Sequence, residues 1–236
     1  MAGQVTRRRA AAQVFVDDVA HPALDDDVSH HLARVLRLRP GEVVVAADGR
    51  GHWVPCRYDG RRALEPAGEV VAERAPAPRL TVAFAPVKGE RPEWVVQKLT
   101  ELGIDCIVVL STARAVVRWE GARADAALGR LRRVAVEAAA QSRRVWVPEI
   151  RGVLTLDALE PSGLALAEPG GGPLGAAVTT VAVGPEGGWT SDELAGDGAR
   201  QIVGLGPNVL RAETAAIAAG VLLGAQRAGT VCLGAG

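Results

Sequence analysis

Short apolar runs bounded by charged or turn-forming residues fill the first seventy positions. VFVDD, EVVVAAD and HWVPCRYD read as strands, DGRG at 48–51 predicts a hairpin turn, and DDVSHHLARVLRL predicts a helix capped by its own aspartates. RAPAPR, residues 74–79, alternates small residues with proline between two arginines and predicts an extended linker. The rhythm then changes. LTVAFAP, CIVVLS, GLALAE, VTTVAVG and QIVGLG read as strands, and helices are predicted over ERPEWVVQKLTELG, Asp125–Arg143 and Ala212–Gln226. Val95, Leu99 and Leu102 share one helical face, and Gly103 supplies the stop. These patterns predict a small β-rich domain over residues 1–74, followed over 80–236 by an α/β domain with a mainly parallel sheet.

A chain of 236 residues with 48% hydrophobic content can bury two cores of ordinary size. Basic and acidic side chains balance at 27 each, so a polyanionic partner must meet a local patch. Residues 88–151 offer one, with 12 basic against 8 acidic side chains, whereas 152–236 carry 3 against 8. Cys56, Cys106 and Cys232 lie far apart and form no CxxC pair, which argues against structural zinc and fits a reducing cytoplasm. The Arg7–Arg9 tract is followed by too short an apolar run, broken by Asp17 and Asp18, to make a signal peptide, and no stretch is suited to span a membrane.

GPEGGW, Gly184–Trp189, and GLGPNVLRAETA, residues 204–215, each join an apolar strand to a helix through glycine. In an open α/β sheet such turns gather outside the carboxyl ends of the strands, where two of them can wall one pocket. The dinucleotide fingerprint is only half present, since Val209 stands at the third glycine position after Gly204 and Gly206, and no GxxxxGK[ST] occurs. An adenosine-like cofactor without phosphates suits these loops, and S-adenosylmethionine fits that description.

KGERPEWVVQKLTELGID, EAAAQSRR, GPEGGWTSDE and LGPNVLRAETA, in that order and joined by the N-terminal SHHLARVLRLRPGEVV and DGRG, resemble the ribosomal RNA small subunit methyltransferase E family of the SPOUT superfamily. Arg143, Trp189 and Asn208 depart from the residue types usual there. The resemblance implies a PUA-like RNA-binding domain before a SPOUT domain with a C-terminal trefoil knot, a homodimer, and transfer of a methyl group from S-adenosylmethionine to N3 of a uridine in 16S rRNA of the small ribosomal subunit. It assigns Gly184, Pro185, Glu186, Gly187 and Gly188 to one wall of the cofactor cleft, and Leu205, Gly206, Asn208 and Leu210 to the other. A noncatalytic RNA-binding or ribosome-assembly protein of the same fold is the alternative; an oxidoreductase using GLGPN as a dinucleotide loop is a weaker one.

Negative charge builds on the uracil oxygens as N3 loses its proton, so a fixed cation there lowers the barrier. Arg211 is the expected cation, with Glu213 orienting it or accepting the proton; a plain ion pair at a helix start is the structural reading of the same two residues. Glu186 is expected to hold its loop by accepting backbone N–H bonds. For RNA, Arg130, Arg132, Arg133, Arg143 and Arg144 form the densest basic stretch, with Arg34, Arg37 and Arg39 next. Adjacent His30 and His31 point in different directions on a helix and have no companion ligands, so packing or RNA contact is expected of them and metal is not.

Overall fold

The computed structural model describes residues 7, 9–87, 91–196 and 200–230; Arg8, Glu90 and Cys232, which figure in the patterns above, lie outside the described residues. Two compact units are present. The first comprises the chain up to Ala75 together with Val136–Val147, and the second comprises Pro76–Ala135 and the chain from Pro148 onward. The chain thus passes between units inside RAPAPR, and the later segment Val136–Val147 belongs with the N-terminal unit although no feature of the sequence suggested it.

In the first unit, β1 (Ala12–Phe15) pairs in parallel with β2 (Val43–Ala47), which pairs antiparallel with β3 (His52–Tyr58); β4 (Leu64–Pro66) and β5 (Val71–Ala72) add to β3. β1 begins two residues before VFVDD. Asp48 makes the DGRG hairpin, its carboxylate accepting from Arg50 N at 2.6 Å and His52 N at 3.0 Å. Asp25 caps α1 (Asp26–His30) by accepting from Val28 N at 2.6 Å. The predicted helix continues only as a π-turn, His31–Val35, and Arg37 at φ 54° takes the left-handed conformation that ends it. His30 and His31 are exposed rather than packed. Val14, Leu32, Val44, Val54 and Tyr58 fill the core.

The second unit is a six-stranded sheet, all of its pairings parallel, in the order β11-β9-β10-β6-β7-β8. These strands are β6 (Thr81–Phe84), β7 (Cys106–Leu110), β8 (Glu149–Leu154), β9 (Leu164–Gly172), β10 (Thr180–Val183) and β11 (Gln201–Val203). β7 is buried at every position, as a strand covered on both faces must be. The connecting helices are α2 (Arg91–Glu101), α3 (Gly121–Gln141), α4 (Ser191–Ala195) and α5 (Ala212–Arg227). Pro92, Val95, Val96 and Leu99 are the buried apolar side chains of α2; Leu102 follows its last turn. Among the described residues no helix is long and apolar enough to cross a membrane, and no His/Cys/Asp/Glu cluster is suited to hold a metal.

Candidate active site

β10 carries three buried residues into Gly184, where the indole of Trp189 packs so close that a Cβ would lie 3.0 Å from it and force the ring to shift. Trp189 is buried and donates from Nε1 to Ala167 O of β9 at 3.1 Å, folding the GPEGGW loop back on its own sheet. Gly188 N closes the turn on Pro185 O at 2.8 Å. Thr190 then caps α4 in a capping box with Glu193, whose carboxylate also accepts from Ala113 N at 2.9 Å in the loop after β7. From that loop Arg114 Nη1 donates to Gly187 O at 3.0 Å and to Trp189 O at 2.9 Å. The brace is therefore Arg114. Glu186, expected to hold the loop, is exposed and its carboxylate makes no bond among the described residues.

The second loop leaves β11 with Gly204 N bonded to Gly172 O at 2.8 Å. A Cβ on Gly204 would stand 2.7 Å from Gly171 O, so the two backbones cross at a distance open only to glycine. The loop runs through Leu205–Leu210 to Arg211, the N-cap residue of α5.

Both loops face one cavity of about 440 Å³, within the range that takes a nucleoside-sized ligand. Gly184, Pro185, Glu186, Gly187, Gly188, Leu205, Gly206, Asn208 and Leu210 all line it. So do Arg114, Ala167, Glu168, Val183 and Trp189, which sequence reasoning did not select. Glu168 had a visible signal, a lone carboxylate following the apolar GLALA run at the sheet's carboxyl edge. Arg114 had none, because its partners are 73 and 75 positions away.

Arg211 and Glu213 are not among the lining residues. Arg211 is exposed and makes no side-chain cap bond. Glu213 is buried, and the ion pair it makes among the described residues is with Arg91, Nη1 to Oε1 at 3.4 Å, in place of the expected pairing with Arg211. Its Oε2 is buried without a hydrogen-bond partner among the described residues. The arginines expected to meet RNA are dispersed. Arg132 and Arg133 are exposed on α3, and Arg130 Nε is 3.3 Å from Glu93 Oε1. Arg143 and Arg144 fall in the first unit, where Arg143 donates to Ala10 O at 3.0 Å and Ala11 O at 3.1 Å, and burial lowers its pKa. Arg34, Arg37 and Arg39 are exposed in that unit too.

A family model described as an RNA methyltransferase domain matches residues 73–224, and an RNA methyltransferase PUA domain model matches residues 24–63. Ribosomal RNA small subunit methyltransferase E of Mycobacterium bovis is 36% identical over 225 residues, covering 86% of each chain. The protein of the same name from Synechocystis is 34% identical over 206 residues, covering 79% of this chain and 67% of its own. The crystal structure of ribosomal RNA small subunit methyltransferase E from Neisseria gonorrhoeae, bound to S-adenosyl methionine, superposes with a TM-score of 0.77 at 29% identity over 91% of this chain and 97% of that one. With more than half its length matched by one model and most of it aligned to such relatives, the chain belongs to the RNA methyltransferase family of the ribosomal RNA small subunit methyltransferase E type.

Proposed function

We propose that the protein methylates N3 of a uridine in 16S rRNA of the small ribosomal subunit, with S-adenosylmethionine as donor. The observation that carries this reading is the single cavity walled by two glycine-bearing loops at the carboxyl edge of the sheet. Its lining fits the donor: glycines of both loops open main-chain groups to the cavity, and Arg114 is the only cationic side chain among the described lining residues. Gly184–Gly188 would hold one side of the adenosine and Leu205, Gly206, Asn208 and Leu210 the other. When bound, the cofactor supplies a methyl group made electrophilic by its sulfonium.

The chain's own residues align donor and acceptor and exclude water, which supplies much of the rate in a transfer of this kind. Arg211, exposed at the first turn of α5 beside the second loop, offers the cation for the uracil oxygen. Glu213 contributes through Arg91, which pins the turn that Arg211 caps. Arg34, Arg37 and Arg39 in the PUA-like domain, and Arg132 and Arg133 on α3, are the exposed cations assigned to RNA. Arg130 and Arg143 would add to that surface only at the expense of the contacts their guanidinium groups already make. The chain acts as a homodimer in the cytoplasm, its C-terminal segment threaded as a trefoil knot, in keeping with the resemblance.

Small subunits lacking the modification, incubated with protein and methyl-labelled cofactor, should acquire label at one uridine N3 when the rRNA is mapped. Label at another atom, or none although calorimetry shows cofactor binding, would sink the reading. Binding of RNA without heat from the cofactor would favour the noncatalytic alternative.

A further inference from the structure

Three ionisable side chains line the cavity among the described residues: Arg114, Glu168 and Glu186. S-adenosylmethionine carries a sulfonium, an ammonium and a carboxylate. One cation and two carboxylates in the wall therefore match, group for group, one carboxylate and two cations in the ligand. Glu168 and Glu186 can each face a positive group, and Arg114 is the one cationic side chain among the described lining residues that can face a carboxylate.

The geometry of Arg114 suits that part. A guanidinium has five N–H donors in a planar fork, and both on Nη1 are committed to Gly187 O and Trp189 O. That leaves the Nε and Nη2 edge, whose parallel N–H bonds match the two oxygens of a carboxylate. The loop contacts fix the plane of the fork before any ligand arrives, so little further rotamer entropy is lost on binding. We propose that Arg114 binds the methionyl carboxylate of the cofactor through this edge while Nη1 braces the GPEGGW loop. The proposal rests on the cofactor reading above and adds to it a side chain that recognises the donor's amino-acid end.

Calorimetry with S-adenosylmethionine and with decarboxylated S-adenosylmethionine, which lacks only the carboxylate, tests it on the full chain. The native protein should bind the first about 10- to 100-fold more tightly than the second, the usual range for one charge-assisted bond. Arg114→Gln should lose about that factor toward S-adenosylmethionine yet bind the decarboxylated compound within about threefold of the native protein. Equal losses toward both compounds would reduce Arg114 to a loop brace and overturn the proposal. Unchanged cofactor affinity with slower rRNA methylation would place the guanidinium on the RNA side and overturn it as well. If Arg114→Gln does not fold, the native protein still decides, since equal affinity for the two compounds refutes carboxylate recognition. Absence of heat from the native protein with either compound would instead fail the underlying cofactor reading.

Discussion

Arg143 occupies a position where helix geometry favours glycine. Its φ is 61°, Arg144 N bonds Ala139 O at 2.9 Å and Arg143 N bonds Ala140 O at 3.3 Å, the pair of bonds that closes a helix through a left-handed residue. A Cβ in that conformation costs about 1 kcal/mol, and the guanidinium offsets it with two bonds to Ala10 O and Ala11 O. Arg143→Ala keeps the strain and loses the bonds, so it should destabilise by about 1–2 kcal/mol; Arg143→Gly loses both and should stay within about 1 kcal/mol of the parent. Urea titration of the two variants checks this, and a glycine variant as unstable as the alanine one would refute it. In the sequence Arg143 reads as one more arginine of a basic run. Only the fold, which brings residues 10 and 143 together, shows that its charge is already engaged.

At the scale of elements, the strands most legible in the sequence were those buried on both faces. β7 and β10 are near-continuous apolar runs, which no exposed segment sustains. β8 went unread because EIRGVL mixes a charge pair and a glycine into a half-exposed strand at the end of the sheet. The DGRG hairpin was legible because its turn chemistry is local, and it carries a pH signature. Burial alone would raise the pKa of Asp48, but the N–H of Arg50 and the backbone and side chain of His52 outweigh it and hold the group below its usual 3.8. A depressed folded pKa means the contribution is intact above 3.8 and is lost as pH falls through the lower native value. Asp48→Asn should therefore cost about 1 kcal/mol at pH 6 and show a shrinking difference from the parent below pH ~3.8; a penalty equal at both pH values would contradict this. The Arg91–Glu213 pair joins elements that local pattern cannot relate, the starts of α2 and α5. Arg91→Ala leaves a buried carboxylate unpaired and should cost about 1–2 kcal/mol, less than a fully buried pair because Arg91 is half exposed. Adding Glu213→Gln should restore part of that loss, and strictly additive effects in the double-mutant cycle would show that the pair is not coupled.

For the molecule as a whole, charge is divided along the chain in a way that suits two different ligands. Residues 152–236, with 3 basic and 8 acidic side chains, contribute most of the cavity wall, and a donor of net positive charge is favoured there. Residues 88–151, with 12 basic and 8 acidic, hold α3, whose exposed Arg132 and Arg133 remain for phosphate once the contacts of Arg130 and Arg143 are subtracted. That there is a cavity was readable from two glycine loops in one parallel sheet. How many arginines are available to RNA was not, because each internal bond depends on a partner distant in sequence. If Arg132 and Arg133 each meet a phosphate, converting both to glutamate should weaken binding to the small subunit and flatten the dependence of log K on log salt by roughly 0.7–0.9 for each phosphate no longer neutralised. Cofactor affinity should not change, since neither residue lines the cavity. Arg143→Ala, by contrast, should leave the salt slope at the parent value, because its guanidinium is held by Ala10 and Ala11. Equal slopes for the glutamate variant and the parent would remove α3 from the RNA footprint and leave Arg34, Arg37 and Arg39 to carry it.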